Sequence, residues 1–239
     1  EIYGNRGKRL MKKKISKRFK KLISGENIKQ SIHFDDALKL VKKNCTTKFN
    51  ESIDISLMLN LKQKKEDANL RTVVNLPNGN GKKIRIAVLC EDSKTQEAKD
   101  SGADVHGSES LVNAISSGKI NFDKLVATPS MMSKMGKLGK ILGPKGLMPN
   151  PKLGTVTNDI KSVVKALKAG QIEIKNDKDG NLGASIGRKS FSDVKISENF
   201  KSVMETISKE KPTGIKGNFI ISAYLTSTMG TSYKLKLTR

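Results

Sequence analysis

Tryptophan is missing from this chain of 239 residues, and aromatic side chains of any kind make up only 4% of it. A protein that holds single-stranded nucleic acid by stacking bases on rings needs more of them, so that mode is disfavoured. Cysteine is nearly as scarce. Cys45 and Cys90 stand without a cysteine or histidine nearby, and His33 and His106 are equally isolated. Metal-ligand spacing is therefore absent, no cofactor is expected, and two scattered thiols read as idle side chains of a reducing compartment. Acids are the third scarcity: 23 Asp and Glu stand against 46 Lys and Arg, for a net charge of +23. No apolar run approaches the length that spans a membrane.

These absences exclude most enzyme chemistry. Carboxylates are too few and scattered to form an acid/base pair, and two isolated histidines do not complete a Ser-His-Asp set. The spacing GxxxxGK[ST] does not occur. Gly79-Asn80-Gly81 follows a strand pattern, but no third glycine completes a dinucleotide fingerprint. What remains is positive charge beyond the needs of solubility, which attracts polyanions: nucleic acid first, an anionic membrane surface second. The segment RGKRLMKKKISKRFKK, Arg6 to Lys21, contains no acid. It lacks the serine richness of an organelle leader and reads as an arm lying along phosphates. A membrane face would need contiguous apolar residues beside the lysines, and here there are only Leu10, Met11, Ile15, Phe19 and Leu22.

The chain then alternates between two patterns. A helix is expected over Leu10 to Leu22, and a second capped by Asp35 or Asp36, with Ala37, Leu38, Leu40 and Val41 on its apolar face. ESIDISLMLNL points Ile53, Ile55, Leu57, Leu59 and Leu61 one way, as a strand with one wet face does. The polar loop KQKKEDAN and a strand over Leu70 to Leu76 follow. After LPNGNGKK the pattern becomes short buried strands (IRIAVLC, ADVHG, FDKLVATP) between short helices, which indicates a small βαβ-type sheet. A helix over Asp159 to Lys168 ends at Gly170. Beyond it, QIEIKNDKDGNLGASIG reads as a hairpin turning at Asp179-Gly180. A helix from Val194 to Lys209 and the strands NFIISAYLTS and SYKLKL, separated by TMGT, complete the chain. The simplest reading is one antiparallel α+β domain interrupted by a parallel insertion, although three small domains would give the same periodicities.

Between Asp123 and Asp159 there is no acid at all, and Gly136 to Thr157 reads GKLGKILGPKGLMPNPKLGTVT. Pro144, Pro149 and Pro151 stiffen this expected loop, its glycines allow close backbone approach, and Lys137, Lys140, Lys145 and Lys152 supply uncompensated charge. It reads either as an anion-binding surface or as a solvated loop packed on its own domain.

This segment closely resembles the signature of the bacterial-type family of ribosomal protein one of the large subunit. The resemblance runs in order from about Met11 to the end: KFNESIDISLMLNL from Lys48, LRTVVNLPNGNGK, FDKLVATPSMM and TSTMGTS each match a family motif. It implies an α/β fold of two domains. One is a discontinuous α+β domain, an antiparallel sheet with helices, built from both chain ends (1–78 and 169–239). The other is an inserted Rossmann-like α/β domain (79–168). It also implies a non-enzymatic, monomeric constituent of the cytoplasmic ribosome. The implied partner is large-subunit ribosomal RNA, in the mobile stalk beside the exit site. Deacylated tRNA leaving that site, and the protein's own mRNA as a target of repression, are the further implied partners, and no membrane is involved. The family's RNA face carries over onto Lys48 and Phe49, and onto Thr228, Met229 and Gly230 with Ser232. Lys137, Lys140 and Lys145 are added from their charge. Besides the basic extension before Met11, which is not a usual family feature, there are two departures. Thr72 stands where the family usually has glycine, which predicts a shifted backbone, and Thr231 stands where proline is common, which predicts a looser turn. A nucleotide-dependent enzyme built on the central segment is the alternative from another class.

Overall fold

The computed structural model describes residues 16–23, 30–61, 70–212 and 217–237. The stretch KQKKEDAN and the expected start of the first helix at Leu10 lie outside the described residues. Helix α1 (Lys17–Ile23) is the described end of the basic segment. In α2 (Phe34–Lys43) the N-cap is His33, not an aspartate; Asp35 and Asp36 lie in the first turn, where carboxylates favour the positive end of the helix dipole. Strand β1 (Ser52–Leu59) buries Ile53, Ile55, Leu57 and Leu59, as its alternation requires. After β2 (Arg71–Asn75) come β3 (Ile86–Leu89), α3 (Thr95–Asp100), β4 (Val105–Gly107), α4 (Glu109–Ser116) and β5 (Lys124–Ala127). Then follow α5 (Met132–Met135), α6 (Gly139–Leu142), α7 (Ile160–Ala169), β6 (Gln171–Lys175), β7 (Asn181–Arg188), α8 (Asp193–Lys209), β8 (Ile220–Ser227) and β9 (Tyr233–Lys234).

Two expectations need correction. The segment from Gly136 is not an open loop through its first half. Short α and 3₁₀ turns from Pro129 to Leu142 form one winding stretch, and Met131, Met135, Leu138 and Leu142 are buried on its inner side. Their recurrence every three or four residues is a helical signal, which the intervening glycines obscure. The expected hairpin is the second case. Asp177 accepts amide bonds from Asp179 (3.0 Å) and Asn181 (2.7 Å), so a turn forms, but only the bridge Asn176–Leu182 joins its arms. Beyond that bridge the strands diverge, β6 pairing with β2 and β7 with β1.

The strands form three sheets: an antiparallel one ordered β7-β1-β8-β9, the antiparallel pair β2-β6, and a parallel one ordered β4-β3-β5. One large core draws on Ala37 to Leu76 and on Ile174 to Leu235, with α2 and α8 joined by stacked rings of Phe34 and Phe200 (4.0 Å). The parallel sheet has a core on each face. Ala87 and Leu89 of β3 feed one with Leu111, Ile115 and Met135, while Ile86 and Val88 feed the other with Ile160 and Val164. This is the arrangement of a strand covered on both sides, and it explains the unbroken apolar run. The fold is therefore α/β with two domains, one of them built from both chain ends.

The chain crosses between the domains twice, and the crossings touch. A Cβ placed on Gly170 would lie 2.3 Å from the Cα of Gly79, and both residues have positive φ (114° and 65°). Only glycine meets both demands at once. The first crossing is held from α8 by fully buried Asn199, which accepts from the Asn78 amide (3.1 Å) and donates to the carbonyls of Gly79 and Ile186 (both 2.8 Å). A buried amide side chain with its bonds made fixes local geometry.

Candidate nucleic-acid interface

The site begins with a buried charge. Glu51, just before β1, has no solvent exposure. Its carboxylate accepts from the Thr47 hydroxyl (2.7 Å), the Thr47 amide (3.3 Å) and, on the other oxygen, the Met229 amide (3.1 Å). Burial alone raises its pKa. The hydrogen bonds from Thr47 and Met229 outweigh that, and the carboxyl is held below its ordinary value. Glu51 therefore joins the segment before β1 to the turn after β8.

Thr228 completes this junction. Its amide donates to the Ser52 carbonyl (3.1 Å), and its hydroxyl accepts from the Ser52 amide (3.0 Å). Gly230 donates to the Ser227 carbonyl (3.2 Å), and a Cβ there would lie 2.3 Å from the Ser227 hydroxyl. A side chain at Gly230 would therefore make the Ser227 hydroxyl shift. With the backbone held in this way, Phe49 (52% exposed) and Met229 (48% exposed) are presented at the same end of the four-stranded sheet. Lys48, Thr228 and Ser232 are exposed beside them. Two large apolar side chains left in water within a fixed, hydrogen-bonded frame form a surface suited to packing on a partner.

Helix α1 reaches the same end. Arg18 donates to the Met229 carbonyl and to the Thr46 hydroxyl (2.9 Å). Asn50 and Ser190 are two residues that no motif marks. The Asn50 side chain donates to the Ser190 hydroxyl (3.0 Å) and accepts from its amide (3.3 Å), extending the exposed polar rim. Only the pairing of β1 with β7 brings them together. Among the described residues, no group of three or more His, Cys, Asp or Glu could hold a metal ion. No described helix is long and apolar enough to cross a membrane.

Residues 41–231 match the ribosomal protein L1p/L10e family. The chain belongs to that family. It is 55% identical over 223 residues to the large ribosomal subunit protein uL1 of Pelagibacter ubique (strain HTCC1062), covering 93% of this chain and 97% of that one. Proteins of the same name from Prochlorococcus marinus are 46% identical over 225 residues in strain NATL1A and 45% over 224 residues in strain SARG. Each covers 94% of this chain and 95% of the relative. Membership of the L1p/L10e family makes this a non-enzymatic ribosomal protein, and the nucleotide-dependent enzyme is set aside.

Within this L1p/L10e fold the two departures have little effect on the backbone. Thr72 pairs in regular register with Ile174, so no shift follows from its side chain, which donates to Glu210 (3.2 Å). Thr231 does not loosen the turn. It is buried, and its hydroxyl bonds the Tyr233 hydroxyl (3.0 Å), an anchor that proline could not supply. Lys137, Lys140 and Lys145 are all exposed, on the inserted domain. No hydrogen bond or ion pair among the described residues joins them to the Thr228–Gly230 turn.

Proposed function

We propose that this constituent of the large ribosomal subunit binds large-subunit ribosomal RNA through the end of its four-stranded sheet. Lys48, Phe49, Thr228, Met229, Gly230 and Ser232 form the contact, with Asn50 and Ser190 at its rim. The observation that carries the reading is the pair of half-exposed side chains, Phe49 and Met229, on a frame held by the buried Glu51 carboxylate. Such a surface reads RNA by shape. Methionine and phenylalanine pack on sugar and base faces, hydroxyls reach 2′-hydroxyls and phosphates, and the glycine allows close approach. The protein then forms the mobile exit-site stalk in the cytoplasmic ribosome, assists release of deacylated tRNA, and represses its own mRNA through the same face. The division into 1–78, 79–168 and 169–239 is part of the proposal, supported by the two crossings at Gly79 and Gly170. Lys137, Lys140 and Lys145 add a weaker contact from the inserted domain.

The test is Met229→Ala, measured by equilibrium binding to a large-subunit RNA fragment. Specific affinity is expected to fall by about 1–3 kcal/mol with the salt dependence unchanged, because no charge is lost. Melting temperature is expected to hold, since half of the side chain already lies in water. A variant that melts early and loses RNA binding in proportion would make the turn structural and remove it from the site.

A further inference from the structure

A second polar cluster lies at the domain crossing and takes no part in the sheet-end contact. Arg188 closes β7 with its side chain unpaired among the described residues, and its Nε is shut off from solvent. The Ser185 hydroxyl on the same strand is buried and unpaired in the same way. Lys82 and Lys83, on the first crossing, are exposed and make no ion pair among the described residues. All four line one cleft of about 570 Å³.

The other charges of that cleft are already matched. Glu173 is held by Arg71 (2.7 Å) and Lys124 (3.3 Å), and Asp123 faces Arg85 (3.6 Å). The net field is therefore positive, from Arg188, Lys82 and Lys83. A half-buried guanidinium without an acceptor among the described residues is complementary to the oxygens of a phosphate. Backbone at Gly81 lies against the Arg188 stem, where a Cβ would come within 3.2 Å of its Cδ, so the stem packs on the first crossing. Arginine suits this role better than lysine because its donors form a rigid planar fork.

We propose that this cleft is a phosphate site, with the half-buried guanidinium of Arg188 as its donor and Lys82 and Lys83 as its charged rim. The RNA backbone supplies the phosphate in one form of the proposal, which rests on the RNA-binding reading above. A free oligophosphate supplies it in the other. The experiment uses the full chain and two arms. In the first, Arg188→Gln is compared with wild type for binding a large-subunit RNA fragment across a salt series. Affinity is expected to drop about 5- to 10-fold at moderate salt, and the slope of log K against log salt to shallow by about 0.7–0.9, the value of one phosphate contact. Arg188→Lys is expected to keep the slope and recover part of the affinity. In the second arm, sodium pyrophosphate is titrated without RNA while melting is followed. A rise in melting temperature that Arg188→Gln abolishes assigns the site to a free oligophosphate. An unchanged slope together with no pyrophosphate effect overturns the proposal. If wild type fails to bind the RNA fragment, the RNA reading falls, and the pyrophosphate arm still decides the cleft.

Discussion

Glu51 shows what a single residue does for the end of the four-stranded sheet. A carboxylate without solvent contact is costly, and this one persists in its charged form because Thr47 and Met229 donate to it. Its pKa is held below the ordinary value, so its stabilisation is present above the ordinary carboxylate range and is lost as pH falls through the lowered folded value. Glu51→Gln is therefore expected to destabilise the protein at neutral pH by about 1–3 kcal/mol, the cost of a broken buried network. The gap between variant and wild type closes in acid, where wild type is itself protonated. Urea denaturation at pH 7 and at the most acidic pH at which wild type stays folded measures both. A gap of equal size at both would mean that the charge is not what holds the turn. This role was not legible in the sequence: Glu51 opens an alternating strand pattern like any polar residue, and its partner Met229 lies 178 positions away. Phe49 and Met229 were legible only through family motifs, since either alone reads more readily as a core side chain. The idle thiols were easier. Cys45 and Cys90 are both buried, and burial pushes both pKa values up.

At the level of elements, periodicity was informative wherever the side chains had one buried face. The strand Ser52–Leu59 and the helix Ile160–Ala169 stand where alternation, caps and glycines put them. It failed where glycine interrupted a helical apolar spacing, as from Met131 to Leu142, and where a strong turn signal suggested pairing that the sheets do not make. The lysines of the glycine-rich segment nevertheless stay in water while Leu138 and Leu142 fill the core. Replacing Lys137, Lys140 and Lys145 with Gln is thus expected to leave melting unchanged. RNA affinity falls modestly, and the salt slope shallows by somewhat under one unit for each phosphate that a lysine no longer neutralises. An unchanged slope would exclude these lysines from the interface. The glycines themselves divide sharply. Gly170→Ala places a Cβ against Gly79 at an unfavourable φ, and a loss on the order of 1–3 kcal/mol in thermal or urea unfolding is expected. Gly136→Ala meets nothing within 4 Å at a helical φ of −53°, so it is expected to be neutral or to stabilise by about 0.4–1 kcal/mol.

For the whole molecule, charge and connectivity carry separate parts of the function. The net charge of +23 attracts any RNA, so under the proposed function specificity rests on the uncharged frame at the sheet end. The composition made the polyanion partner legible. The discontinuity was not fixed by periodicity, because pairing between distant strands such as Arg71–Asn75 and Gln171–Lys175 leaves no local trace. The core from Ala37 to Leu235 takes no buried residue from between Leu76 and Ile174, and every residue of the sheet-end contact lies on its side of the crossings. The crossings also touch at Gly79 and Gly170, so a short linker can bridge them. A chain joining Pro77 to Gln171 through such a linker is expected to fold as an independent domain. It loses the bonds from Asn199 to Asn78 and Gly79, and with them about 1–3 kcal/mol unless the linker backbone replaces them. It is expected to keep most of the specific affinity for large-subunit RNA, with a shallower salt slope because Lys82, Lys83 and the lysines of the inserted domain are gone. Unfolding curves and RNA titrations on this shortened chain measure the two parts separately. Should it fold and yet bind no better than an unrelated basic protein, the frame around Glu51, Phe49 and Met229 is not the RNA face.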